Sequence, residues 1–135
     1  MHDRPTAVEL LDAVRQFLEA DAIPALEGTK KFHARVAANV LAIVVREWQS
    51  ESDQLRGEWQ RLRQLLSESA ADAPTDLATL RPAIRAATEQ LCQRIRSGDA
   101  DRDPWRAAVL AHVRQTVVDK LSVANPKFLA GGGGE

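Results

Sequence analysis

The chain has 135 residues, 44% apolar and 27% charged, with a formal net charge of −1; it is long enough for one folded domain and too apolar for wholesale disorder. The balanced charge gives no general pull toward nucleic acid or an anionic membrane, and the longest apolar run, Val40–Val45, falls far short of the roughly 20 residues that span a bilayer. Cys92 is the only cysteine, which excludes an internal disulfide or a cysteine-built zinc site; with no basic-then-apolar leader at the start, the pattern suits the cytoplasm.

Only helical periodicity recurs. Asp3 is a candidate N-cap with Pro5 in the first turn. Ala7, Leu11, Val14 and Leu18, joined by Leu10 and Phe17, then form an apolar stripe at 3.6-residue spacing. Pro24 ends or bends this helix and Gly28 marks the turn into the next. That second helix, Phe32 to Trp48, is apolar at nine of the ten positions from Val36 to Val45, Asn39 being the exception. A helix apolar on most sides has to be surrounded by other helices or by a second subunit, so it is the expected core element.

The segment SESDQLRG, ending at Gly57, reads as a break, with one long bent helix as the alternative. Leu55, Trp59, Leu62, Leu65 and Leu66 then mark an amphipathic face. SESAADAPTD reads as a loop, with Pro74 blocking continuation and Thr75 or Asp76 available as a cap. Leu77, Leu80, Ile84, Ala87, Leu91 and Ile95 define a further helix, with Pro82 near its first turns and Gly98 suited to a left-handed stop. Asp103–Pro104 starts the last helix, whose stripe is Leu110, Val113, Val117, Leu121 and Ala124, and Pro126 ends it. The expectation is an all-α, single-domain antiparallel bundle of four or five helices over residues 1–130, followed by a flexible glycine-rich tail at 131–135.

Catalytic patterns are missing from the sequence. The three histidines, His2, His33 and His112, stand in unrelated contexts. No phosphate-loop glycine pattern, HExxH or paired Glu-x-x-His occurs, so neither a metal nor a cofactor is expected. His33 and His112 read as surface or hydrogen-bonded histidines, and Cys92 as a small buried hydrophobe. Arg81, Arg85, Arg94 and Arg96 read as a solvated helix face, and the scattered tryptophans give no basic–aromatic pattern for nucleic acid.

One constellation stands out. At about 100° per residue, Lys31, Arg35, Asn39, Ala42 and Arg46 fall along one line of the second helix. Arginine and asparagine donors suit phosphate or carboxylate, and Ala38 and Ala42 keep the surface low. Glu47 continues the Val36, Val40 and Ile43 line toward the core. The 46–47 and 119–120 charge pairs, Arg46–Glu47 and Asp119–Lys120, are expected to meet between the second and last helices. The candidate ligand- or partner-binding residues are therefore Arg35, Asn39, Arg46, Glu47, Asp119, Lys120 and Asn125.

The segments DRPTAVELLDAVRQFLE, FHARVAANVLAIVVRE and TVVDKLSVANPKFL resemble a bacterial family of unknown function whose members carry the name acyl-CoA dehydrogenase-related proteins. The resemblance covers most of the chain outside the middle, about Ser50 to Pro74, and the glycine tail. Genes of that family stand beside those of aminoglycoside-phosphotransferase-like kinases and acyl-CoA dehydrogenases. It therefore implies a non-catalytic helical accessory or regulatory module working with such a kinase or dehydrogenase. The alternative is a small binding protein or enzyme for a phosphorylated or CoA-linked acyl compound. Pairing with a second copy, as a homodimer, would also cover the apolar helix. The chain is too short, and shows no strands, for an acyl-CoA dehydrogenase proper.

Overall fold

A computed structural model describes residues 4–67 and 73–131. It is all-α, with no strand among the described residues, and its helices pack against each other. The contacts gather into two compact units, Met1–Ser50 and Glu51–Glu135.

In the N-terminal unit, α1 covers Ala7–Phe17. Its cap is Thr6, one residue after Pro5, rather than Asp3, which lies outside the described residues. Thr6 Oγ1 accepts from the Glu9 amide at 3.2 Å while Glu9 Oε2 accepts from the Thr6 amide at 2.7 Å, which satisfies two otherwise orphaned donors. The helix continues as a π-helical stretch, Leu18–Ala22, into the three-residue α2, Ile23–Ala25. Pro24 thus falls where the chain leaves helical geometry, and Leu26 is already extended. Gly28 adopts φ +53, as its place in the turn requires.

From Gly28 the chain forms α3, Gly28–Leu65, 38 residues long. The expected break at Ser50–Gly57 does not occur. Polar residues do not by themselves stop a helix, and the one unfavourable residue, Gly57, costs only about 1 kcal/mol. Side chains across the segment also hold it in place. Gln54 Nε2 donates to Ser122 Oγ at 3.1 Å and to the Asp119 carbonyl at 3.3 Å. Arg56 donates to the Thr75 carbonyl at 2.9 Å, and Glu51 pairs with Arg81.

The core lies in the C-terminal unit. Leu62 and Leu80 are fully enclosed, surrounded by Leu65, Ile84, Ala87, Leu91 and Val109, with Leu55, Trp59, Leu66, Leu77 and Trp105 packed against them. These residues come from the end of α3, from α4 (Leu77–Arg96) and from α5 (Trp105–Ala124). Asp76 caps α4, accepting from the Thr79 amide at 3.2 Å. Gly98 takes φ +91 after its end, as expected, and leads into a short 3-10 turn, Asp99–Asp101. Asn125 closes α5, and Pro126 opens the short α6, Pro126–Gly131. Residues 68–72 of the expected loop at 67–76 and the tail beyond Gly131 lie outside the described residues.

Two expectations about the core are overturned. The Phe32–Trp48 segment is not the core element: of its apolar residues only Ala38 and Val45 are buried, while Phe32, Val36, Val40, Val44 and Trp48 are exposed. On α5 the expected stripe points outward as well. Leu110, Val113 and Val117 are exposed, and the buried line is Val109 and His112, with Trp105 packed against the core. Both segments are apolar on more than one face, so periodicity could not choose between faces. The α1 stripe is likewise displaced: Leu11 and Leu18 are half-buried, but Leu10, Val14 and Phe17 are exposed.

Candidate functional site

A concave feature of the C-terminal unit, a cavity of about 490 Å³, lies between the end of α3 and the first three turns of α5. Its floor is apolar, from Leu65, Trp105, Ala108 and Ala111, and its polar groups are Arg61, Gln64, Ser67, His112 and Gln115. That mix, a mainly apolar hollow with a few placed polar groups, is the usual make-up of a small-molecule site.

The wall is fixed by the way α3 ends. Its last carbonyls have no intrahelical donor, and Leu65 O receives Trp105 Nε1 at 3.0 Å and Arg94 Nη1 at 3.4 Å. The Arg94 guanidinium lies 4.4 Å above the Trp105 ring and is held from the other side by Asp99 at 2.9 Å. Cation–π attraction, an ion pair and a cap thus orient one indole. Ser67 sits at φ +55, just past the end of α3, where chains commonly turn left-handed.

Beside the cavity, Arg61 Nη2 pairs with Asp119 Oδ2 at 2.9 Å, and Asp119 Oδ1 accepts from Gln115 Nε2 at 2.8 Å. Three polar atoms on this α3–α5 face are buried without a protein partner: Arg61 Nε, His112 Nδ1 and Thr116 Oγ1. His112 is only 7% exposed. Burial holds its pKa below the usual histidine value, and the nearby Arg61 charge pushes in the same direction. The imidazole is therefore neutral at neutral pH. The expectation of a surface or hydrogen-bonded His112 is corrected: it is buried, and Nδ1 lacks a protein partner.

Asp119 is thus the one expected site residue that belongs to this cavity's hydrogen-bond network. Lys120, exposed, lines a separate groove of about 560 Å³ with Glu58, Arg85, Glu89 and Cys92. Asn125 is exposed at the α5 cap, its amide donating to the Leu121 carbonyl at 2.8 Å. Arg35 and Asn39 are exposed on α3, Arg46 is half-buried, and Glu47 is exposed rather than turned to the core. The 46–47 pair lies in the N-terminal unit and the 119–120 pair in the C-terminal one, while Asp119 receives Arg61 and Gln115. The arginines of α4 do not form one open basic face, since Arg81 is paired with Glu51 and Arg94 is engaged as above.

Arg61 and Trp105 carry no signal in the sequence, and His112 stands there only as a histidine without a ligand pattern. The available signal was His112 and Thr116 one turn apart on the same line as Val109, two polar residues on an apolar face. Among the described residues, no group of three or more His, Cys, Asp or Glu could hold a metal ion. No helix among them is long and apolar enough to cross a membrane.

The fold and cavity describe a small all-α protein with an open polar–apolar hollow between two helices. Residues 24–128, well over half of the chain, match the model of a domain of unknown function, DUF6285, and the chain belongs to that family. No curated protein and no solved structure matches it.

Proposed function

We propose that the chain is a non-catalytic helical binding module that holds a small, uncharged, carbonyl-bearing molecule with an apolar body in the α3–α5 cavity. The observation that carries this reading is the buried His112 at the wall of that cavity, with Nδ1 unpaired beside Arg61. A buried polar atom left unpaired costs about 1–3 kcal/mol, and an acceptor that reached Nδ1, with the imidazole proton on that nitrogen, would relieve that cost.

Charge decides the ligand class. Asp119 already neutralises Arg61 and His112 is neutral, so a carboxylate or phosphate would enter without a free counter-charge. A carbonyl oxygen would accept a hydrogen bond without that penalty, and its chain would lie against Trp105, Ala108 and Ala111. Catalysis is disfavoured on geometry: Nδ1, the atom an orienting carboxylate would hold in a hydrolytic triad, has no such acceptor.

Titration with hexanamide, hexanoate and inorganic phosphate, followed by the NMR signals of the His112 ring and by melting temperature, tests the reading. Hexanamide is expected to shift the His112 signals and raise the melting temperature more than the two anions do. Ala108→Trp, which fills the cavity, should remove the response. Unchanged His112 signals at millimolar hexanamide would exclude this site.

The resemblance to acyl-CoA dehydrogenase-related proteins supports placing the module beside enzymes of acyl-CoA breakdown, where acyl carbonyls are abundant. Its partner there would be a phosphotransferase-like kinase or an acyl-CoA dehydrogenase. Affinity purification from the native host tests that part separately, and recovery of neither enzyme removes it without touching the cavity.

A further inference from the structure

We propose that the N-terminal unit is half of a dimer interface, with α1 of each copy lying on the first half of α3 of the other to complete a four-helix bundle.

In the N-terminal unit, α1 and the first half of α3 are joined by the turn at Leu26–Gly28. Pro5, Thr6, Ala7 and Leu10 share an apolar hollow of about 350 Å³ with Trp48, so the start of α1 lies beside residue 48 and the two helices form a hairpin. Each helix carries an exposed apolar line. On α1 it is Leu10, Val14 and Phe17; on α3 it is Phe32, Val36, Val40, Val44 and Trp48, at four-residue spacing. Phe32 and Trp48, at its two ends, are 62% and 66% exposed. The hollow joins the two lines at the Trp48 end. Because a four-residue step turns the α3 line by about 40° each time, Val36, Val40, Val44 and Trp48 share a broad side of the helix and Phe32 lies off it.

Within its own unit, a two-helix hairpin has no third layer to cover such a face. Leu10, Val14 and Phe17 with Val36, Val40, Val44 and Trp48 offer an exposed apolar area of several hundred Å², of the order of the roughly 800 Å² per partner that a stable interface buries. The four-residue line on α3 is also a ridge of the kind that packs into grooves of another helix.

Charge selects a second copy as the occupant. From Gly28 to Trp48 the segment holds Lys30, Lys31, Arg35 and Arg46 against the single acid Glu47. From Arg4 to Ala22 it holds Glu9, Asp12, Glu19 and Asp21 against Arg4 and Arg15. An acidic helix with an apolar line is what the basic, apolar α3 would accept, and the chain itself supplies one. A two-fold axis satisfies both contacts at once, because α1 meets the partner's α3 twice in the same way.

Light scattering and sedimentation of the full chain test the proposal. A dimer is expected, weakened as salt rises because part of the fit is electrostatic. Val40→Glu, at an exposed position, should give a folded monomer with unchanged helical circular dichroism. Cross-linking then fixes the pairing. In a Cys92→Ser background, a short bifunctional maleimide should join copies carrying Val14→Cys to copies carrying Val40→Cys. A monomeric wild-type chain, or an open-ended assembly, would overturn the proposal. So would Val40→Cys copies linking efficiently to each other while the mixed pair does not, since α3 would then meet α3.

Discussion

The two units use similar apolar residues in opposite ways. In the C-terminal unit, Leu62, Leu80, Ile84 and Leu91 come from two helices that meet, and α5 closes the third side with Val109. In the N-terminal unit, the more apolar stretch, Phe32–Trp48, meets only one helical neighbour within the unit and leaves five large side chains in solvent. Apolar content sets how much a helix has to gain from burial, whereas the number of helices around it sets how much of that is realised.

The largest effect should come from the enclosed side. Leu80→Ala removes a side chain with no solvent contact and leaves a cavity, so a loss of about 2–5 kcal/mol is expected in urea unfolding. Val36→Ala, on the open face, should cost less than about 0.5 kcal/mol at concentrations low enough to keep the chain monomeric. Equal losses at the two positions would erase the contrast between the units.

That contrast also explains what could be read in advance. The faces at Leu55–Leu66 and Leu80–Leu91 were legible because each helix is polar on its other side, leaving one face to bury. Phe32–Trp48 and α5 are apolar on several faces, and for such helices the choice of buried face depends on neighbours that no local window contains. The cavity was hidden for a related reason. Its residues are distant in sequence, Arg61 and Leu65 on α3 against Trp105 and His112 on α5, and no spacing rule connects them. The continuity of α3 was obscured because composition suggested a loop, while Gln54, Arg56 and Glu51 find partners far along the chain.

Turns give a smaller, sharper comparison. Gly28 and Gly98 both have left-handed backbone, but a Cβ at Gly28 meets nothing within 4 Å, whereas at Gly98 it would stand 3.2 Å from Asp101 Oδ2. Alanine at Gly28 should cost about 1 kcal/mol from conformation alone, and at Gly98 about 2 kcal/mol. Denaturant midpoints of the two variants measure the difference, and a costlier change at Gly28 would contradict the tight packing at the α4 end.

The least effect is expected from acid. Because the folded state holds the His112 pKa below its ordinary value of 6.5, the unfolded chain takes up the proton first as pH falls. Stability is therefore intact above that value and declines as pH drops through and below it. His112→Gln should show a shallower decline in melting temperature from pH about 7.5 to about 5.5, and an unchanged slope would place the titrating group elsewhere.

The positions of the three tryptophans have an optical consequence. Trp48 stands in solvent on the N-terminal hairpin, Trp59 packs against the C-terminal core beneath Arg63, and Trp105 forms the cavity wall beneath Arg94. An indole in water emits toward the red, and an enclosed one toward the blue. The emission of the monomeric chain therefore contains a red component from the first unit and a blue component from the second. Dilution through the dimer equilibrium should move only the former, and filling the cavity only the latter, so both proposals leave separate marks in one spectrum.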